Sequence, residues 1–239
     1  MISYIDSRAN KKVIHASKLK DKKSIKEFHE FLIEGMKSLE LALEAGLVKE
    51  VFTLKELDID ESIPQYVVTE EIVDKISFSQ NPEGVIGVCQ TLKENAPQKM
   101  DKVVYLDNIQ DPGNMGTIIR TALALNYDAI ILSDNCVSIY NPKVVSATKG
   151  AMFLIPILSG NIQDYKKGRT VITSTLNEKS ISLDELETPK SFILVLGNEA
   201  HGVSNDVIAK SDIFVKIPIN NIDSLNVAVA GAILMYKLK

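Results

Sequence analysis

Residues 212 to 239, DIFVKIPINNIDSLNVAVAGAILMYKLK, constrain the fold more than any other stretch of this chain. The apolar run Ile213 to Ile217 predicts a buried strand, Pro218 to Asp223 a polar loop, and the residues from Ser224 onward a helix. That helix carries Leu225, Val227, Ala228, Val229, Ala230, Ala232, Ile233, Leu234 and Met235 and keeps almost no polar face, whereas a helix lying on a surface shows one to water. Other chain must therefore surround it. Ser224 is the expected N-cap, its hydroxyl accepting from a first-turn N–H, and on local chemistry alone Ser224 and Asn226 both read as capping residues.

From Lys102 onward, short continuous apolar runs alternate with helical patterns. The runs are Val103 to Leu106, Ala129 to Leu132, Phe153 to Leu158, Thr170 to Ser174, Phe192 to Leu196 and Ile213 to Ile217. Helices are predicted near Asn114 to Leu125, Pro142 to Lys149, Asn161 to Lys166, Ser204 to Ala209 and Ser224 to Leu238. Buried parallel strands read in this way, so residues 102–239 are expected to form an open α/β sheet of roughly six strands with its ligand site at the strands' carboxyl ends. Residues 1–95 read as a smaller α/β domain. It has a capping box at Ser24 and Glu27, a strand at Phe31 to Ile33, a helix from Met36 to Ala45 stopped by Gly46, strands at Val48 to Thr53, Tyr66 to Thr69 and Val85 to Cys89, and a helix near Glu70 to Ile76. The polar segment 92–100, with Pro97, places the linker at 96–101.

A 239-residue chain that is 45% hydrophobic can bury a substantial core. No apolar run approaches membrane-spanning length and MISYIDSRANKK lacks the apolar centre of a signal peptide, so a cytoplasmic protein without membrane contact is expected. Cys89 and Cys136 lack metal-type spacing and read as buried free thiols; His15, His29 and His201 are far apart, so no metal is expected. The net charge of −4 conceals an asymmetry. Arg8, Lys11, Lys12, Lys18, Lys20, Lys22, Lys23 and Lys26 face the single acid Asp21, a concentration that either binds phosphates or forms a solvated face.

Glycine, asparagine and single charges gather at three strand-to-loop junctions: LDNIQDPGNMGTIIRTA (106–122), LGNEAHGVS (196–204) and IPINNIDSLN (217–226). The first is neither a dinucleotide fingerprint, which needs G-x-G-x-x-G, nor a P-loop, which needs Lys-Ser/Thr after its last glycine. In this order the junctions resemble the three motifs of the SpoU/TrmH family of RNA ribose 2′-O-methyltransferases, members of the SPOUT class. They are N-x5-R at Asn114 and Arg120, L-G-N-E-x-x-G at Leu196 to Gly202, and I-P…S-L-N-V-A-V-A at Ile217 to Ala230. The resemblance covers about residues 102–239. The N-terminal part, with SRANKK, the lysine-rich run and FLIEG, resembles the substrate-binding domain attached to many members.

The resemblance implies a deep C-terminal trefoil knot, which general topology rules would not propose and which would bury the over-apolar last helix. It implies S-adenosyl-L-methionine as cofactor, held at Gly197, Ile217 and Leu225, and a homodimer that methylates structured RNA, ribosomal rather than transfer RNA. Arg120 matches the family's catalytic arginine, and Asn114, Glu199, Ser224 and Asn226 match the remaining catalytic positions. Arg8, Lys20, Lys22, Lys23 and Lys26 become the expected RNA contacts. A transfer-RNA ribose methyltransferase, and a non-catalytic RNA-binding protein that keeps the knot, are the alternatives; the five intact catalytic positions speak against the second.

Overall fold

A computed structural model describes all residues 1–239, which divide into two compact units. The first comprises Met1–Lys93 together with Ile139–Phe153; the second comprises Glu94–Ser138 and Leu154–Lys239. Residues 139–153, which the sequence pattern assigns to the part after 102, thus fold with the first unit.

The first unit is built on strands β1 (Ile2–Ile5), β2 (Glu30–Glu34), β3 (Val48–Thr53), β4 (Gln65–Val68) and β5 (Val85–Gln90), ordered β1-β4-β3-β5-β2. Helices α1 (Lys11–Lys18), α2 (Lys22–Phe28), α3 (Met36–Glu44) and α4 (Glu70–Ile76) accompany them. Val13, Ala16 and Leu19 from the lysine-rich stretch enter a core with Phe52, Ile72, Ile76 and Ile86, so α1 is amphipathic despite its charge. The expected Ser24–Glu27 capping box is corrected: α2 begins three residues earlier than that box implies, and the Asp21 carboxylate caps it by accepting from the N–H groups of Lys23 and Ser24. An acid is the stronger cap there, because it also complements the helix dipole.

The second unit is a seven-stranded sheet whose pairings are all parallel. Its strands are β6 (Lys102–Asp107), β7 (Ala129–Leu132), β8 (Ile157–Ser159), β9 (Thr170–Ser174), β10 (Ile181–Ser182), β11 (Phe192–Gly197) and β12 (Ile213–Lys216), in the order β10-β12-β9-β11-β6-β7-β8. The run Phe153 to Leu158 does not form one strand. A 3-10 turn, Ala151–Phe153, precedes the three-residue β8, as Pro156 supplies no N–H to a ladder. The two-residue β10 supplies the seventh strand. Helices α5 (Pro112–Ala124), α7 (Ile162–Lys166), α8 (Asn205–Ile208) and α9 (Val227–Lys237) belong to this unit, and α6 (Pro142–Thr148) to the first. The middle strands are nearly wholly buried, which explains why their sequences are continuous rather than alternating.

From β6 the chain moves through β7 to β8 at one edge; β9, β11 and β12 then build on the opposite side of β6, with β11 against β6. The loops leaving β6 and β11 therefore diverge at a topological switch point, where an open α/β sheet leaves a crevice. Helix α9 packs against α5 and β11, and Gly231 permits the approach: a Cβ there would lie 2.7 Å from Leu196 Cδ1. Cover on all sides, expected from composition, is corrected. Ala228, Gly231, Leu234 and Met235 are buried, but Val229, Ile233 and Tyr236 are 51%, 39% and 63% exposed and form one stripe at helical spacing.

Candidate functional site

At the end of β6, Asp107 stands in register with Gly197, the last residue of β11. The Asp107 carboxylate is 2% exposed and accepts from the Ser204 N–H at 2.7 Å, which ties the exit of the second motif loop to the first strand. Between these points residues 198–202 fold back tightly. Asn198 and Gly202 exchange two backbone hydrogen bonds of 2.9 Å, and the Asn198 amide donates to the Asn108 carbonyl at 2.8 Å while its oxygen accepts from the N–H groups of Ala200 and His201. Gly197 is required by this turn, since a Cβ would lie 2.5 Å from the backbone of Gly202 and Val203.

The turn projects Glu199 toward the start of α5. Pro112 opens that helix and the Asp111 side chain caps it by accepting from the Asn114 N–H at 2.8 Å. The Glu199 carboxylate accepts from the Asn114 amide at 3.0 Å and from the N–H groups of Asp111 and Gln110 at 3.3 and 3.4 Å, an acid placed at a helix N-terminus. Asn114 in turn accepts from the Asn226 amide at 2.9 Å. The direction of this relay is forced, because an ionised Glu199 can only accept; Asn114 must present its NH2 to the acid and its oxygen to Asn226.

Asn226, not Ser224, is the N-cap of α9, its oxygen accepting from Ala228 and Val229. This corrects the expected start of the helix. Residues 224–226 stay outside the helix and line a cavity, and asparagine has both an acceptor for the helix and a donor for Asn114.

That cavity, about 560 Å³, is walled by residues 174–176, 196–200 with 202, 216, 217 and 219, and 224–227 with 230. Gly197, Ile217 and Leu225 therefore share one cavity, with Ser224, Asn226 and Glu199 on its wall. The volume falls in the range of small-molecule and cofactor sites. Aliphatic side chains such as Leu176, Ile217, Ile219 and Leu225 share the lining with the small residues Gly197, Ala200, Gly202 and Ser224, which suits a largely neutral ligand, and the close-packed turn at Gly197 is the kind of cradle that the adenosyl part of S-adenosylmethionine would need.

Arg120 stands apart from this network. It is exposed on α5, about 9 Å of helical rise beyond Asn114, with neither a hydrogen bond nor an ion pair, and it does not line the cavity. His201 is exposed, also off the cavity wall, and contributes only its backbone to the turn. Cys136 is half-buried rather than buried, and burial pushes its thiol up; Cys89 is buried and its thiol is pushed up as well, so neither is an activated nucleophile. In the first unit, Arg8, Lys20, Lys22, Lys23 and Lys26 are all exposed and outside any ion pair, whereas Lys12 is held by Glu50 at 2.6 Å and Lys49 by Glu30.

Three contributors escape sequence reasoning: Asp107, Asn198 and the cavity residue Lys216. Asp107 left a signal, an acid ending an otherwise apolar run, and Asn198 lies inside the second motif.

Both units have counterparts in known proteins. Residues 101–236 match the SpoU rRNA Methylase family and residues 10–87 match an MRM3-like substrate binding domain. A 23S rRNA (guanosine(2553)-2′-O)-methyltransferase, RlmP of Bacillus subtilis, is 34% identical over 98% of both chains. The structure of an AdoMet-bound rRNA methyltransferase from Sinorhizobium meliloti superposes with a TM-score of 0.88 at 27% identity, covering 99% of this chain and 97% of that one. The SpoU methyltransferase AviRb from Streptomyces viridochromogenes shares the fold, with a TM-score of 0.84 at 21% identity over 96% and 97% of the two chains.

Proposed function

This chain belongs to the SpoU rRNA methylase family, and from that membership we propose that it transfers a methyl group from S-adenosyl-L-methionine to a ribose 2′-hydroxyl of ribosomal RNA. The observation that carries the reading is the Glu199–Asn114–Asn226 relay, which joins all three motif loops at the rim of one cavity. The cofactor supplies an electrophilic methyl carbon on a positively charged sulfur. Gly197, Ile217 and Leu225 would hold its neutral adenosyl part through the main chain, and Ser224 and Asn226 would face its reactive end or the target nucleotide. As the 2′-oxygen forms its bond to the methyl carbon and the sulfur–carbon bond breaks, the hydroxyl proton must leave. A guanidinium offers N–H donors and no acceptor site, so Arg120 does not take it; the group instead anchors a substrate phosphate and stabilises developing negative charge on the oxygen, while the proton passes to that phosphate or to water. Asn114 and Glu199 keep the start of α5, and hence Arg120, in place.

Full-length likeness to a ribosomal-RNA enzyme, including the N-terminal domain, favours ribosomal over transfer RNA. No helix is long and apolar enough to cross a membrane. A cytoplasmic enzyme acting on RNA where ribosomes are made fits this reading. Calorimetry should show binding of S-adenosylhomocysteine, and the protein should deposit a 2′-O-methyl group on ribosomal RNA. A folded sample that binds neither S-adenosylmethionine nor its product sinks the reading.

The exposed stripe of Val229, Ile233 and Tyr236 fits a homodimer, an isologous pairing in which two copies of α9 cover one another. A predominantly dimeric species is expected in sedimentation velocity at micromolar concentration, and Ile233→Glu should shift it to monomer with little change in melting temperature. A dimer unaffected by that substitution would move the interface elsewhere.

A further inference from the structure

We propose that Lys216 is the counter-ion of the carboxylate on the cofactor's amino-acid tail. The proposal rests on the methyl-transfer reading above and deepens it. Only two residues of formal charge line the cavity, Glu199 and Lys216. The Glu199 carboxylate already has three donors, one from Asn114 and two from the backbone at the start of α5, so its charge is committed to joining the motif loops. Lys216 is exposed, its side chain forms no ion pair or hydrogen bond, and it is the sole cation on the wall. Its position is well defined: strand alternation buries Val215 and turns Lys216 the other way, and pairing with Ser182 of β10 holds the backbone.

S-adenosylmethionine offers a cation one partner. Its adenine and ribose are neutral, its sulfur and amino group are positive, and only the carboxylate is negative. A lysine turned toward the sulfonium would be repelled, so the wall charge favours a bound pose in which the tail carboxylate lies near Lys216. Such a charge-assisted contact at a partly exposed rim contributes about tenfold to affinity. An RNA phosphate is the other anion that could approach, and its binding would be blind to the cofactor's carboxylate.

The decisive comparison uses two ligands that differ in that group alone. S-adenosylmethionine and decarboxylated S-adenosylmethionine are titrated calorimetrically into the full chain and into Lys216→Gln and Lys216→Arg, with melting curves to confirm folding. The parent protein should prefer the carboxylated ligand about tenfold; Lys216→Gln should lose most of that preference and Lys216→Arg should keep it. An unchanged preference in Lys216→Gln, or an equal weakening of both ligands, overturns the proposal. An unchanged preference with reduced affinity for ribosomal RNA overturns it in favour of a phosphate contact. Failure of the parent protein to bind either ligand would instead defeat the methyl-transfer reading, so the two ideas fail separately.

Discussion

Arg120→Ala should lower methyl transfer by about a hundredfold to a thousandfold while leaving S-adenosylhomocysteine affinity within about twofold, the usual consequence of removing one preorganised stabiliser of transition-state charge. The separation of effects follows from position. Arg120 is outside the cavity wall, so the cofactor site does not depend on its side chain, and it has no partner in the protein, so its five N–H donors remain for the substrate. An exposed side chain without partners also adds little to folding, and the variant should melt within about 0.5 kcal/mol of the parent. Lysine at this position would retain the charge but lose the planar fork; Arg120→Lys should recover only part of the rate if the group it binds is a phosphate. Single-turnover methylation of the native RNA measures the chemical step directly. Near-parental turnover by Arg120→Ala would remove the arginine from the reaction and leave the Glu199–Asn114–Asn226 relay as a purely architectural device.

Much of the fold was legible because burial writes itself into composition. The runs at 103–106, 129–132, 170–174 and 192–196 are continuous since both faces of their strands are covered, and each falls within a strand of the second unit. Helix α1 was not legible, since a short apolar stripe of Val13, Ala16 and Leu19 is diluted by lysines and only the assembled core shows which of them turn inward; of α2 only a start was legible, and that start was placed too late. The start of α9 was misplaced for a different reason. Serine and asparagine are equally good caps two residues apart, and the choice between them is made by Asn114, which lies 112 positions away in the sequence. The same distance explains why the relay had no local signature: its members are ordinary turn and capping residues until three loops meet. Resemblance to a family carried that information, and hydrogen-bond chemistry now supplies its physical content. For the last helix, composition recorded how many positions are apolar but not which of them the chain itself covers, so the exposed stripe of Val229, Ile233 and Tyr236 has the same sequence signature as its buried neighbours.

Changing Lys20, Lys22, Lys23 and Lys26 together to glutamine should weaken binding to ribosomal RNA about a hundredfold near physiological salt and flatten the salt dependence, reducing the log–log slope by about 3. The argument begins with charge distribution. Residues 94–138 and 154–239, the unit that holds the cavity, carry twelve basic and fifteen acidic side chains, so that unit has no strong net attraction for a polyanion. Residues 8–26 carry eight basic side chains against one acid. Within that stretch Lys12 is neutralised by Glu50 and Lys20 feels the Glu34 carboxylate, but Lys20, Lys22, Lys23 and Lys26 are all exposed and outside any ion pair, with Lys22 and Lys26 one turn apart on α2. Four unpaired ammonium groups meeting four phosphates release their counterions, and that release is what makes binding steeply dependent on salt. The buried side of the same helix, Ile25, is untouched by the substitutions, and Asp21 continues to cap it, so the first unit should remain folded. Affinity for S-adenosylhomocysteine should not move, because none of the four residues lines the cavity. Filter binding across a salt series gives both the affinity and the slope. A variant with parental values of both would show that the lysines form only a solvated face, and the phosphate contacts would then have to be sought on the unit that carries Arg120.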